Sequence, residues 1–303
     1  MKYAILVFLA GCSYGMLSTL VKLAYGLGFN VSEVVGAQYY FGLLVLSIIM
    51  IFMPKTKLNL KTALSLMLVG AFTALTGIFY SYALKLVSAT LGVVLLFQFT
   101  WIGVLIEAIV DKTFPSRAKL LSLPFLFMGT LMAGGVFALE KMEFNLLGTL
   151  FGLLAALTFA TFIFLASRIA IDQPTFTRTY WIALGAVCLV TIVYPPKFLV
   201  NGALVNGLFK YGLVLGVLSP AIAPLLFAMG APKTGSGLAT ILSSSELPVA
   251  ILMSSLILRE QVSLVQWLGI FTILLGIASP YIYSYFKQQY TSKSLLELEK
   301  QPH

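Results

Sequence analysis

At 303 residues, with 60% hydrophobic and only 10% charged side chains and a mean hydropathy of +1.01, the chain is excluded from the soluble globular class. A soluble domain carries about a quarter charged residues, and no polar stretch here is long enough to fold as a separate domain. The net charge of +9 would suggest a nucleic-acid partner in a soluble protein, but the basic residues sit mainly at the ends of apolar runs, so none is expected.

In chain order the apolar runs predict ten helices, at 4–24, 34–53, 62–83, 89–109, 118–138, 147–167, 178–194, 209–229, 236–258 and 264–286. Each is near the ~20 residues that cross a bilayer, so the fold class is an all-α integral membrane protein. The connectors are short and carry breakers: Pro54, Pro115, Pro174 and Pro195-Pro196. With the N-terminus inside, most of the 19 lysines and arginines fall on one side: Lys2, Lys55, Lys57, Lys61, Lys112, Arg117, Lys119, Arg168, Arg178, Lys233, Lys287, Lys293 and Lys300. The positive-inside rule then places both termini in the cytoplasm. Residues 287–303 read as a polar cytoplasmic tail, disordered or lying on the membrane, with Lys287 as an interfacial anchor.

The first helix carries two motifs that point elsewhere. Leu9-Ala-Gly-Cys12 matches a lipoprotein cleavage box, but the run stays apolar through Met16, Leu17, Leu20 and Val21. Gly11-Cys-Ser13-Tyr-Gly15 matches G-x-S-x-G, which needs a histidine base, and the single histidine is His303. The productive reading is a GxxxG packing face, repeated at Gly148–Gly152 and Gly212–Gly216. Such faces either pack helices within one subunit or join two, so monomer and homodimer both stay open. Cys12 and Cys188 lie in apolar runs without metal-ligand spacing; no metal site and no cofactor is implied.

The chain also repeats itself. Ala83-Leu-Lys85-Leu-Val-Ser88 aligns with Ala231-Pro-Lys233-Thr-Gly-Ser236, and in that register Gln98 lies on Glu246, Thr100 on Pro248 and Phe114 on Val262. Tyr39-Tyr40 matches Tyr180-Trp181, and Ser13-Tyr14-Gly15 matches Thr158-Phe159-Ala160, at a slightly smaller shift. Two halves result, 1–139 and 140–286, each with five crossings. An odd number forces opposite insertion, which is the inverted-repeat plan of secondary transporters.

Chemistry inside a membrane concentrates where polar groups are costly. Glu246 lies near the middle of the ninth helix, where a charged group costs ~2.5–3.5 kcal/mol on insertion scales. It follows Ser243-Ser244-Ser245 and precedes Pro248, whose missing N–H predicts a kink with a freed carbonyl. A proton or a cationic substrate group suits that carboxyl; the bland alternative is a permanently protonated acid within the kink. Gln98 occupies the equivalent place in helix 4, with Trp101 one turn along the same face. Tyr14 lies too deep for an interfacial belt, whereas Tyr80, Tyr82, Tyr180 and Trp181 read as belt residues. Glu107, near Asp111 and Lys112, reads as solvated or snorkelling. The candidate substrate site is therefore Glu246, Gln98, Trp101, Tyr14, Ser13, Gln38, Tyr39 and Ser243, with Glu246 as the proton-coupling group.

These residues resemble the drug/metabolite transporter superfamily, in particular its EamA-type ten-helix members. The resemblance rests on the two halves, the Ala83–Ala89 and Ala231–Gly237 openings, Glu246-Leu-Pro248, Leu258-Arg-Glu260, Gly269 and Gly276. It implies an inner-membrane carrier with a central cavity, commonly an exporter of amino acids, other metabolites or toxic compounds. Two departures stand out: Gln38-Tyr39 replaces an arginine frequent in relatives, and Thr100 replaces a proline. Recognition of an anionic substrate by that arginine therefore does not carry over. The expected function is secondary-active export of amphipathic or cationic small solutes by alternating access, with a solute, the lipid bilayer and candidate protons as partners. The alternatives are an importer or uncoupled facilitator of solutes such as sugars or nucleosides, a scaffolding protein, or an embedded enzyme. For the enzyme the sequence offers neither HExxH nor a DDxxD-like cluster.

Overall fold

The computed structural model describes residues 2–53, 58–87, 89–134, 145–257, 259 and 262–298. The 139/140 boundary, Pro54, Lys55, Lys57, Ser88, Leu258, Glu260, Lys300 and His303 lie outside the described residues, as do the side chains of Leu84, Lys85, Ala89 to Leu91 and all from Ser284 on. The described elements are helical, with no strand among them. The first half comprises α1 (Lys2–Gly26), α2 (Val31–Ile51), α3 (Leu60–Leu86), α4 (Ala89–Leu96), α5 (Phe99–Asp111) and α6 (Arg117–Ala133). The second comprises α7 (Leu146–Ala166), α8 (Thr175–Val193), α9 (Phe209–Gly216), α10 (Ala223–Thr234), α11 (Ser236–Ser243), α12 (Glu246–Ile257) and α13 (Leu264–Leu298). Among the described residues, 9 helical runs are long and apolar enough to cross a membrane. The 17-residue α6, packed along α13, completes ten crossings.

Three spans depart from expectation and a fourth keeps to it. The span expected at 89–109 is interrupted at Phe97–Gln98, where Gln98 N–H bonds Leu95 O at 3.2 Å and Thr100 N–H bonds Phe97 O at 3.2 Å. There is no proline there; the Thr100 hydroxyl, donating to Phe97 O at 3.0 Å, competes for the backbone instead. The kink expected at Ser244–Pro248 is present as a break between α11 and α12, with Ser244 N–H and Ser245 N–H reaching back three residues at 3.2 Å each. The span expected at 209–229 runs on to Thr234 through a π turn, Val217–Ile222, that contains Pro220. Finally, α13 does not stop at 286 but continues to Leu298, since the Lys, Gln, Leu and Glu residues there are good helix formers.

The packing has the symmetry of the sequence. α1 lies on α10 and α12, while its repeat counterpart α7 lies on α3 and α5; α2 lies on α9, while α8 lies on α3. α5 packs on α11 and α6 on α13. Exchanging the halves maps this set onto itself, as a pseudo-twofold axis requires. All three GxxxG faces are spent inside the chain. A Cβ at Gly11 would strike Ser243 and Ser245, one at Gly152 would strike Leu95, and one at Gly216 would strike Gly42 and the Gln38 carbonyl.

Candidate functional site

The break between α11 and α12 sits where α1 crosses it backbone to backbone. At Gly15 an added Cβ would collide with the Glu246 carbonyl and Val249, so only glycine permits this approach. The Ser245 hydroxyl donates to Phe8 O at 2.7 Å and fixes the crossing. Glu246 opens α12 from this junction, in mid-span. It is half-buried, and its Oε2 is buried with no hydrogen-bond partner among the described residues. Buried polar atoms nearly always have partners, so this oxygen and the Ser244 hydroxyl at the same break, also buried without a partner among the described residues, are the unspent groups of the site.

Tyr14 and Tyr80 both lie within electrostatic range of the Glu246 carboxyl, and Tyr39 lies within range of Tyr14. The Tyr14 ring stands edge-on to Phe159, with centroids 5.7 Å apart and planes at 82°, and tilts over Phe227 at 6.1 Å. Phe159 is the repeat counterpart of Tyr14, so the two equivalent positions meet between the halves.

The other expected site residues are placed less uniformly. The Gln98 amide is engaged, its Nε2 donating to Val94 O at 2.8 Å and its Oε1 accepting from the Trp101 indole at 2.7 Å. That bond holds Trp101, whose side chain is 42% exposed. Ser13 donates to Leu218 O at 2.8 Å, in the π turn of the other half. Ser243 is fully buried and donates to Ala239 O at 2.7 Å. The Tyr39 hydroxyl donates to Thr73 O at 3.1 Å. Gln38 is buried, its carbonyl against Gly216. Tyr14 thus lies within electrostatic range of both Glu246 and Tyr39, while Gln98 and Trp101 make a pair of their own at the opposing break.

Tyr80 is a partial correction. It lies about one turn before the apolar run ends at Ala83, as an interfacial residue would, but it is half-buried and within electrostatic range of Glu246. A signal was available in Gly77, which shares its helix face at i, i+3 and leaves room for the Tyr39 hydroxyl, 3.7 Å from where a Cβ would be. Tyr80→Phe is expected to weaken the apparent affinity for solute about fivefold, as loss of a hydrogen bond of about 1 kcal/mol would. A belt residue would show no change in the same transport titration.

Arg178 is a second correction. Counted as an interfacial charge, it is instead 1% exposed. Its Nη2 donates to Ala166 O at 2.6 Å and its Nη1 to Ala228 O at 2.9 Å. Both carbonyls lack their usual helical donors: Ala166 ends α7, and Pro232 has no N–H to offer Ala228. One guanidinium therefore caps two broken ladders, and the carbonyl dipole at the end of α7 favours its charge.

Glu107 is a third. It is not freely solvated: it pairs with Lys119 and accepts from the Ser236 hydroxyl at 3.2 Å. One turn on, Asp111 receives both Arg168 guanidinium nitrogens at 2.6 Å each. The hydrogen bond to this carboxylate holds the Arg168 pKa above its ordinary value.

Two repeats of apolar helices, interleaved with each other and broken in mid-span near an unsatisfied carboxyl, define a multi-pass membrane protein with a buried polar centre. The EamA-like transporter family model matches residues 1–135 and again residues 146–279. The chain belongs to that family, and it is a membrane transporter of small solutes. No curated protein matches it. A solved structure described only as a crystal structure of a protein superposes with a TM-score of 0.77 at 16% identity, covering 93% of this chain and 99% of that one. At that identity the likeness is one of fold.

Proposed function

We propose that the protein is a secondary-active exporter of small metabolites: amino acids, related amphipathic or cationic solutes, or toxic compounds. The halves 1–139 and 140–286 rock about a central site and expose it to one side at a time. Glu246, Tyr14 and Tyr39 line that site together with Tyr80, and Glu246 exchanges a proton or holds the cationic group of the solute. Gln98 and Trp101 contribute from the opposing break. The protein resides in the inner membrane with both termini cytoplasmic, as the loop charges direct.

The observation that carries this reading is the unpartnered Oε2 of Glu246. An ionisable group inside a span faces a functional path by default, and here the surrounding phenols and rings suit amphipathic or cationic ligands over anions. The test uses proteoliposomes containing a pH-sensitive dye, offered amino acids and organic amines in turn. Proton movement opposite to the moving solute supports coupled export. Solute movement with no proton movement supports the facilitator reading instead.

A further inference from the structure

At the ends of α5, α7 and α11 that carry Asp111, Arg168 and Ser236, the two halves are tied together by polar side chains. Asp111 closes α5, and Arg168 follows the Ser167 cap of α7. These residues belong to different halves and are 31% and 38% exposed. Two parallel bonds of 2.6 Å make the pair bidentate, the strongest geometry available to arginine and carboxylate. The same guanidinium lies 4.3 Å from the centroid of the Phe164 ring, which fixes its orientation.

Glu107, one turn before Asp111, reaches the second half as well. Its Oε2 binds Lys119 of α6 and its Oε1 accepts from Ser236 at the start of α11. The approach depends on two glycines. Gly235 takes φ +81°, and a Cβ on Gly237 would strike the Glu107 carboxylate. The described ties between halves at the far end include Asn201 donating to Glu33 at 2.6 Å and Tyr40 with Thr191 at 2.9 Å, each with at most one charged partner.

We propose that Asp111–Arg168 and Glu107–Lys119–Ser236 form an ionic latch that holds the two halves together at this end while the central site opens toward the other. They are positioning residues, acting on the site through the rigid α5 and α11. The proposal rests on the alternating-access reading. It adds that the transport cycle must break and remake the Asp111–Arg168 pair and the Glu107–Ser236 bond, the two ties that cross between the halves, while Lys119, in the same half as Glu107, holds its carboxylate in place. The strength of the two ties sets how often the site faces the latch side. Exposed ion pairs are weak individually, which suits a contact that must open in every cycle.

The test replaces Cys12 and Cys188 by alanine and introduces Thr240→Cys, on the buried stretch of α11 between the latch and Glu246. Labelling by a membrane-impermeant maleimide from the latch side, in oriented vesicles, reads how often that end opens. Arg168→Asp is expected to raise the labelling rate about fivefold, since removing a pair worth about 1 kcal/mol shifts the closed-to-open ratio by that factor. The charge swap Asp111→Arg with Arg168→Asp is expected to restore the slow rate, which a merely structural lesion would not do. Equal rates in wild type and Arg168→Asp, or a swap that is expressed normally but labels like the single variant, would overturn the latch. Solute transport in the same vesicles separates the two ideas. Wild type that transports normally but shows no latch effect sinks only the latch, whereas a latch effect without wild-type transport of any solute sinks the carrier mechanism it serves.

Discussion

Glu246→Gln is expected to leave the protein folded and inserted while abolishing concentrative transport. The substitution keeps the shape of the side chain at the α11–α12 break and removes only its capacity to exchange a proton or to pair with a cation. Its backbone carbonyl still faces Gly15, and Ser245 still anchors the break to α1, so helix packing is retained. One proton moving down a gradient of one pH unit supplies about 1.4 kcal/mol, enough for a roughly tenfold solute gradient. In vesicles with that imposed gradient, wild type is expected to approach a tenfold ratio and the variant a ratio of one. A variant that still concentrates solute like wild type would remove Glu246 from coupling and leave it a structural acid in the kink. Glu246→Asp, which keeps the charge on a shorter stem, is expected to retain coupling at a reduced rate.

Arg178→Ala carries the largest expected effect on stability. Two hydrogen bonds from a charged donor, to Ala166 O and Ala228 O, are each worth about 1.5–3 kcal/mol. Their loss strands both carbonyls away from water. Against that stands the relief of no longer burying a cation, so the net cost is expected near 3 kcal/mol. Arg178→Lys can reach one carbonyl but not both with the same geometry, and is expected to recover part of the loss. Thermal unfolding in detergent, followed by size-exclusion fluorescence, reads both variants. Midpoints equal to wild type would mean that the two carbonyls find other donors and that Arg178 is not the brace described. Membrane orientation is a separate readout: because Arg178 is buried rather than interfacial, neither variant is expected to change it.

The sequence made parts of this visible because they depend on local pattern. Apolar run length gives the crossings, and the Ala83–Ser88 and Ala231–Ser236 match gives the repeat. Glu246 stands out because a carboxyl in mid-span has no inexpensive explanation. The Pro248 kink is likewise local, and so is the Gln98–Trp101 pairing at i, i+3. What stayed hidden depends on contacts distant in sequence. Arg178 resembles any loop cation until Pro232, far along the chain, is seen to free the carbonyl it caps. Tyr80 resembles a belt residue until Glu246, on a helix distant in sequence, is seen to lie within electrostatic range of it. Glu107 resembles a snorkelling acid because its partners, Lys119 and Ser236, lie on other helices. The helix 4 break escaped for the opposite reason: a strictly local hydroxyl, on Thr100, interrupts the ladder where a proline was the expected signal.

Outward movement of small solutes through the Glu246 site is the step on which the proposed function depends. Its most direct test compares solutes inside and outside cells that overproduce wild type, Glu246→Gln, or neither. Wild type alone is expected to accumulate one class of amphipathic or cationic compound in the medium, with matching depletion inside. Inward accumulation by wild type, or equal export by wild type and Glu246→Gln at equal membrane abundance, would contradict it.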